Sequence, residues 1–172
     1  MSPDVSLGNW LRQRALRSPT RRAITFEAAT LTYAELQGRI DRLAVVLRDG
    51  GVRSGDRVGY LGFNHPAFLE TMFAAARLGA IFVPLNFRLT GPELEFIIND
   101  AGCHTMVADS NHVEVLDTIR GSVSVRRWLS VETTRDGWDD LTAAVGAVTD
   151  PLGDTPPTDP DGVAVIMYTS GT

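Results

Sequence analysis

With 172 residues, 44% of them hydrophobic, the chain is long enough to bury a core, and its formal net charge of −5 offers none of the basic field that nucleic-acid binding requires. Its single cysteine, Cys103, excludes an intramolecular disulfide. No stretch reaches the roughly 20 apolar residues of a membrane span or forms the apolar core of a signal peptide, so a cytoplasmic location is expected.

Leu7, Trp10 and Leu11 share one face of a first short helix, closed by Ser18-Pro19. Arg12, Arg14, Arg17, Arg21 and Arg22 make this segment basic, which reads as a solvated helix face or as a peripheral contact with an anionic membrane. Arg22 to Phe26 and Leu31 to Thr32 form a hairpin pattern, although Ala28-Ala29 is a poor turn pair. Thr32 and Glu35 have capping-box spacing, and Leu36, Ile40, Leu43, Ala44 and Leu47 recur at helical spacing before Gly50-Gly51. Arg57 to Leu61 is a strand. Asn64-His65-Pro66 opens a helix with Phe68, Leu69, Met72, Phe73 and Ala76 on one face, ended by Gly79. Ile81 to Val83 is a short buried strand that Pro84 terminates.

Thr90 and Glu93 repeat the capping box, with Leu94, Ile97, Ile98 and Ala101 behind them and Gly102 as the stop. A strand from His104 to Ala108, a short helix from His112 to Thr118 and a strand from Val125 to Leu129 follow. This alternation predicts an α/β chain, a mostly parallel sheet with right-handed crossover helices. Residues 149–162, interrupted by Pro151, Pro156, Pro157 and Pro160, read as an internal surface linker. An apolar strand, Val163 to Tyr168, comes next.

Single side chains have plain readings. Cys103 is a buried strand-start thiol, His65 a helix cap, and Trp128 with Trp138 a packed satellite cluster. His104 and His112 have no partners at metal-ligand spacing, so no metal ligand is assigned. Tyr168-Thr169-Ser170-Gly171-Thr172 places hydroxyls and a glycine directly after the last strand. There backbone N–H groups can converge on phosphate oxygens, although the same residues also make ordinary turns.

That tail resembles the first half of the signature loop of the adenylate-forming (AMP-binding) enzymes, Y-T-S-G-T-T-G-x-P-K-G. Thr32-Tyr33-Ala34-Glu35-Leu36, Gly55-Asp56-Arg57-Val58, Ala76-Arg77-Leu78-Gly79-Ala80 and Val83-Pro84-Leu85-Asn86 are similar to that family's N-terminal pattern, in its order. Pro84 to Leu94 resembles the acyl-CoA ligase branch, in which Asn, Arg and Leu follow the proline. The resemblance implies that residues 1–172 are a partial AMP-binding domain, the N-terminal portion of the family's large domain. The parent would be an ATP-dependent ligase of a carboxylic acid, a fatty acid, to CoA through an acyl-adenylate, with magnesium shielding the phosphates. Thr169, Ser170, Gly171 and Thr172 would hold the ATP phosphates, while Tyr168 leads into that turn, either as a lesser member of the site or as a core-packing residue.

The resemblance assigns no catalytic residue and no metal ligand within the chain. The family's two functional lysines belong to later segments, and all 16 cationic side chains here are arginines. The chain alone is therefore expected to be inactive, and to aggregate or pack loosely. Two other readings stand beside this one. One is a non-catalytic truncated product that at most binds a partner. The other is part of a nonribosomal peptide synthetase adenylation domain, which Asn86-Phe87-Arg88 argues against.

Overall fold

The computed structural model describes residues 6–153, 158–159 and 161–169. After helix α1 (Leu7–Arg17), strands β1 (Arg22–Phe26) and β2 (Ala29–Thr32) pair as an antiparallel hairpin. Phe26 faces Ala29, so the loop is Glu27-Ala28, and Glu27 makes the turn without a glycine by taking a left-handed backbone at φ 51°. Helix α2 (Tyr33–Asp49) then leads into alternating elements: β3 (Arg57–Leu61), α3 (Pro66–Arg77), β4 (Ile81–Leu85), α4 (Gly91–Ala101), β5 (Cys103–Asp109) and α5 (Val113–Ile119). A 3₁₀ turn, β6 (Arg127–Val131), β7 (Asp139–Asp140) and α6 (Leu141–Gly146) complete the order. The main sheet is five-stranded and parallel throughout, in the order β4-β3-β5-β6-β7, as the alternation predicts.

A parallel sheet with helices on both faces needs strands that are apolar on both sides. Val58, Tyr60, Phe82, Val107 and Leu129 pack on one face against α2, α3 and α6, while Leu61, Val83, Met106, Ala108 and Trp128 pack on the other against α4 and α5. Gly59 leaves room for the Met106 side chain of β5 to lie across β3, because a Cβ there would lie 2.2 Å from Met106 Sδ. Both capping boxes form: Glu35 Oε2 accepts the Thr32 N–H at 2.7 Å and Glu93 Oε2 the Thr90 N–H at 2.8 Å. Helix α4 stops at Gly102, which is left-handed at φ 62°.

Several elements differ from expectation. Trp10 does not share the buried face of α1 and is 62% exposed. That face is Gly8, Asn9 and Ala15, because α1 crosses α3 so closely that a Cβ on Gly8 would meet the Ala76 carbonyl oxygen at 2.6 Å. Helix α3 likewise buries Ala67, Thr71, Ala74 and Ala75, with Phe68, Met72 and Phe73 half-buried beside them. Strand β6 starts two residues later than the apolar run suggests. Strand β7 and helix α6 were not expected, although Asp140 caps α6 by accepting the Ala143 N–H at 2.7 Å.

Pro84 does not end β4 but sits inside it, opposite Tyr60. Alternate residues of a strand present their backbone groups to the same edge. Phe82 uses the outer edge, donating its N–H to Ala164 O at 2.9 Å and accepting the Ile166 N–H at 3.0 Å. The N–H that Pro84 lacks falls on that outer edge and leaves the β3 ladder intact. It also ends the pairing: the expected strand from Val163 to Tyr168 forms one parallel bridge, Phe82 to Val165.

Candidate functional site

Open parallel sheets bind ligands outside the carboxyl ends of their strands, where the connecting loops converge. That rim here consists of Phe63 to His65 after β3, Asn86 to Arg88 after β4, Asp109 to His112 after β5, and Glu132 after β6. Because the terminal segment runs parallel to β4, Thr169 reaches the same rim. It lines a cavity of about 520 Å³ with Leu85, Asn86, Phe96 and Tyr168.

The segment alternates. Ile166 and Tyr168 turn inward onto the second core cluster, while Val163, Val165 and Met167 face outward and are exposed. The Tyr168 hydroxyl donates to Asp100 Oδ2 of α4 at 2.5 Å. Burial and then that carboxylate push the phenol up to about 12. Tyr168 thus takes the packing alternative of its two readings, and Thr169 beyond it is exposed. Of the four residues expected to hold phosphate, the structure places Thr169 at the rim; Ser170, Gly171 and Thr172 lie outside the described residues.

The rim also contains an anchor that the sequence did not reveal. Asp109 Oδ2 accepts the Phe63 N–H at 2.8 Å, while Oδ1 accepts the Asn111 N–H at 3.0 Å and meets His112 Nδ1 at 2.5 Å. One carboxylate therefore ties the loop after β3 to the loop after β5. Above it, Phe63 packs edge-on against Phe87 at 5.0 Å and against His112 at 4.9 Å. Phe63 and Phe87 remain 47% and 40% exposed. The Arg88 guanidinium lies over the Phe87 ring at 5.3 Å, and Asn86 Oδ1 accepts the Arg88 N–H at 3.0 Å. Beneath the rim the Tyr60 hydroxyl is buried with no hydrogen-bond partner among the described residues, and burial, followed by the Asp109 charge, raises its pKa. The readable signal for this anchor was Asp109-x-Asn111-His112 directly after an apolar strand, a polar turn at a strand's carboxyl end.

The remaining candidates have structural roles. His65 Nδ1 accepts the Ala67 N–H at 3.1 Å as the cap of α3, and its Nε2 lies 3.3 Å from Glu132 Oε1. His104 Nδ1 meets Thr105 Oγ1 at 2.9 Å, and burial lowers the imidazole pKa. Cys103 is buried at the start of β5, where burial pushes its thiol up to about 12. Trp128 and Trp138 pack edge-on at 5.0 Å beneath Arg120. No group of three or more metal-ligating side chains is present among the described residues.

The sequence matches the AMP-binding enzyme family over residues 11–172. Feruloyl-CoA synthase of Amycolatopsis sp is 43% identical over 171 residues, a match that spans 98% of this chain and 31% of that protein. Indoleacetate–CoA ligase of Aromatoleum aromaticum is 34% identical over 168 residues, spanning 98% of this chain and 33% of that protein. A solved fatty acyl CoA synthetase of Mycobacterium tuberculosis aligns with a TM-score of 0.81 and 32% identity, covering 96% of this chain and 32% of that one. The chain thus spans about a third of the length of the relatives it matches.

Proposed function

The chain belongs to the AMP-binding enzyme family, and from that premise we propose that it is the N-terminal part of an ATP-dependent carboxylic acid to CoA ligase that works through an acyl-adenylate. The observation that carries this reading is the course of the terminal segment, which brings the motif residue Thr169 to the carboxyl-end rim beside Asn86. Thr169, Ser170, Gly171 and Thr172 hold the ATP phosphates through hydroxyl and backbone N–H donors. Glu93, the acidic residue lining that cavity, has its carboxylate bonded back onto Thr90, and Asn86 and Thr169 supply polar groups there. Magnesium bound with ATP would shield phosphate charge, and no side chain of this chain is assigned to it.

A carboxylate oxygen of the acid attacks the ATP α-phosphorus and displaces pyrophosphate, and the CoA sulfur then attacks the acyl carbonyl of the adenylate and displaces AMP. The identities of 43% to a feruloyl-CoA synthase and 34% to an indoleacetate ligase, against 32% to the fatty acyl CoA synthetase, favour an aromatic acid. A fatty acid is the second class, supported by the Mycobacterium tuberculosis neighbour. We place the reaction in the cytoplasm.

Acid-dependent ATP–pyrophosphate exchange by the complete protein, across ferulate-type acids, indoleacetate and fatty acids, tests the proposal. Exchange with at least one class, followed by CoA-ester formation, is expected; silence with every acid would contradict it. The 172 residues alone, without a lysine, are expected to be silent.

A further inference from the structure

We propose that the cavity enclosed by the β1/β2 hairpin, the start of α3 and the end of β6 binds a small amphipathic amine, with its apolar body inward and its ammonium at the mouth. The cavity holds about 320 Å³, enough for a single ring or a short chain. Its depth is apolar: Ala67 of α3, Val131 of β6 and Leu141 of α6 line it and are buried, and Ile24, Phe26 and Leu31 of the hairpin face them. It shares no lining residue with the cavity at Asn86 and Thr169, so this inference does not rest on the ligase reading.

The charge of the lining is unbalanced. Three glutamates, Glu27, Glu70 and Glu132, line the cavity with one arginine, Arg39. Arg39 is committed to the buried Glu70, its Nε 2.9 Å from Oε1 and its Nη2 donating to Oε2 at 3.3 Å. His65 leaves the charge of Glu132 in place. Its Nδ1 accepts the Ala67 N–H, so the ring proton sits on Nε2, 3.3 Å from Glu132 Oε1, and the imidazole is neutral. Glu27 forms no ion pair with the described residues. The exposed Glu27 and Glu132 thus stand uncompensated above an apolar pocket. These two are also the non-glycine residues with a left-handed backbone among the described residues, at φ 51° and φ 57°. Glycine would take that conformation without strain, yet the fold keeps a carboxylate at each position. A neutral guest would leave this field unused, and an acid would be repelled by it, since Arg39 is already paired. A lysine side chain would enter ammonium first and carry its charge past the glutamates, which decides for a free amine.

Titration of the ¹⁵N-labelled chain with phenethylamine, phenethyl alcohol, phenylacetate and Nα-acetyl-lysine amide, followed by nuclear magnetic resonance, tests the proposal. Phenethylamine should shift the amides of Glu27, Ala28, Ala67 and Glu132 saturably. It should bind at least about threefold more tightly than the alcohol, by a margin that shrinks as salt is raised. Glu27→Gly with Glu132→Gly should remove that preference while the thermal midpoint holds or rises, because glycine suits both backbones. Glu27→Gln with Glu132→Gln, which keeps the side-chain size, should remove it as well. No saturable shift at these amides with phenethylamine, equal affinity for the alcohol, or tighter binding of phenylacetate or of the lysine amide would each overturn the proposal. A preference for the amine that survives the double variants would overturn it too.

Discussion

Strand β3 and the segment from Val163 to Thr169 run in the same direction and have similarly apolar sequences, yet the fold holds them very differently. Every residue of β3 is paired, to β4 on one side and to β5 on the other, and the strand is buried on both faces. The terminal segment has one bridge to Phe82, one hydroxyl bond from Tyr168 to Asp100, and an outward row of exposed Val163, Val165 and Met167. The difference lies in the partners and not in the residues: Pro84 withholds the donor that would extend the pairing. The frame's stability is therefore separable from the placement of the phosphate-loop residue.

The strongest challenge to this separation is a cavity in the frame. Leu129→Ala removes a fully buried side chain of the β6 core and should cost about 2–5 kcal/mol in urea unfolding. A loss below about 1 kcal/mol would mean that the frame is not the rigid partner described. Tyr168→Phe should cost the frame only about 0.5–1.5 kcal/mol while speeding amide exchange at Ile166, which bonds to Phe82. Equal acceleration throughout β3 would erase the distinction between the two regions.

The smallest expected effect is a pH slope. Burial raises the Glu70 pKa against the partial relief of Arg39, whose Nε lies 2.9 Å from Oε1 but out of the hydrogen-bond line; burial raises Asp41 too. The folded chain then binds protons more tightly than the unfolded chain does. These two groups therefore make stability fall as pH rises from the unfolded values, about 3.9 for Asp41 and about 4.3 for Glu70, through the raised folded values. Glu35 and Glu93, lowered by the Thr32 and Thr90 amides, act oppositely: their contribution is present above about 4.3 and is lost as pH falls. Glu70→Gln should flatten the fall above that pH in urea midpoints, and an unchanged profile would remove Glu70 from the account.

Much of the frame was legible because its signals are local. The capping boxes at Thr32 and Thr90, the glycine stop at Gly102 and the apolar spacing of α2 and α4 each act within a few residues. What was not legible depends on distant partners. Trp10 faces outward because Gly8 must meet Ala76, and Pro84 is tolerated because its missing N–H falls on β4's outer edge, away from the β3 ladder. Asp109 anchors Phe63 across 46 residues of sequence, a pairing that no periodicity announces. At the site, the motif made Thr169 a candidate from its neighbours alone, while the aromatic rim of Phe63, Phe87 and His112 emerges only when the loops after β3, β4 and β5 are brought together.

The most direct test of the central claim is a nuclear magnetic resonance titration of the ¹⁵N-labelled chain with ATP, tripolyphosphate and adenosine. If the terminal segment holds phosphate, ATP and tripolyphosphate will shift the Thr169 amide and those that follow it, adenosine will not, and β3 will stay unmoved. Shifts confined to other surfaces, or none at Thr169 with either phosphate, would contradict the account.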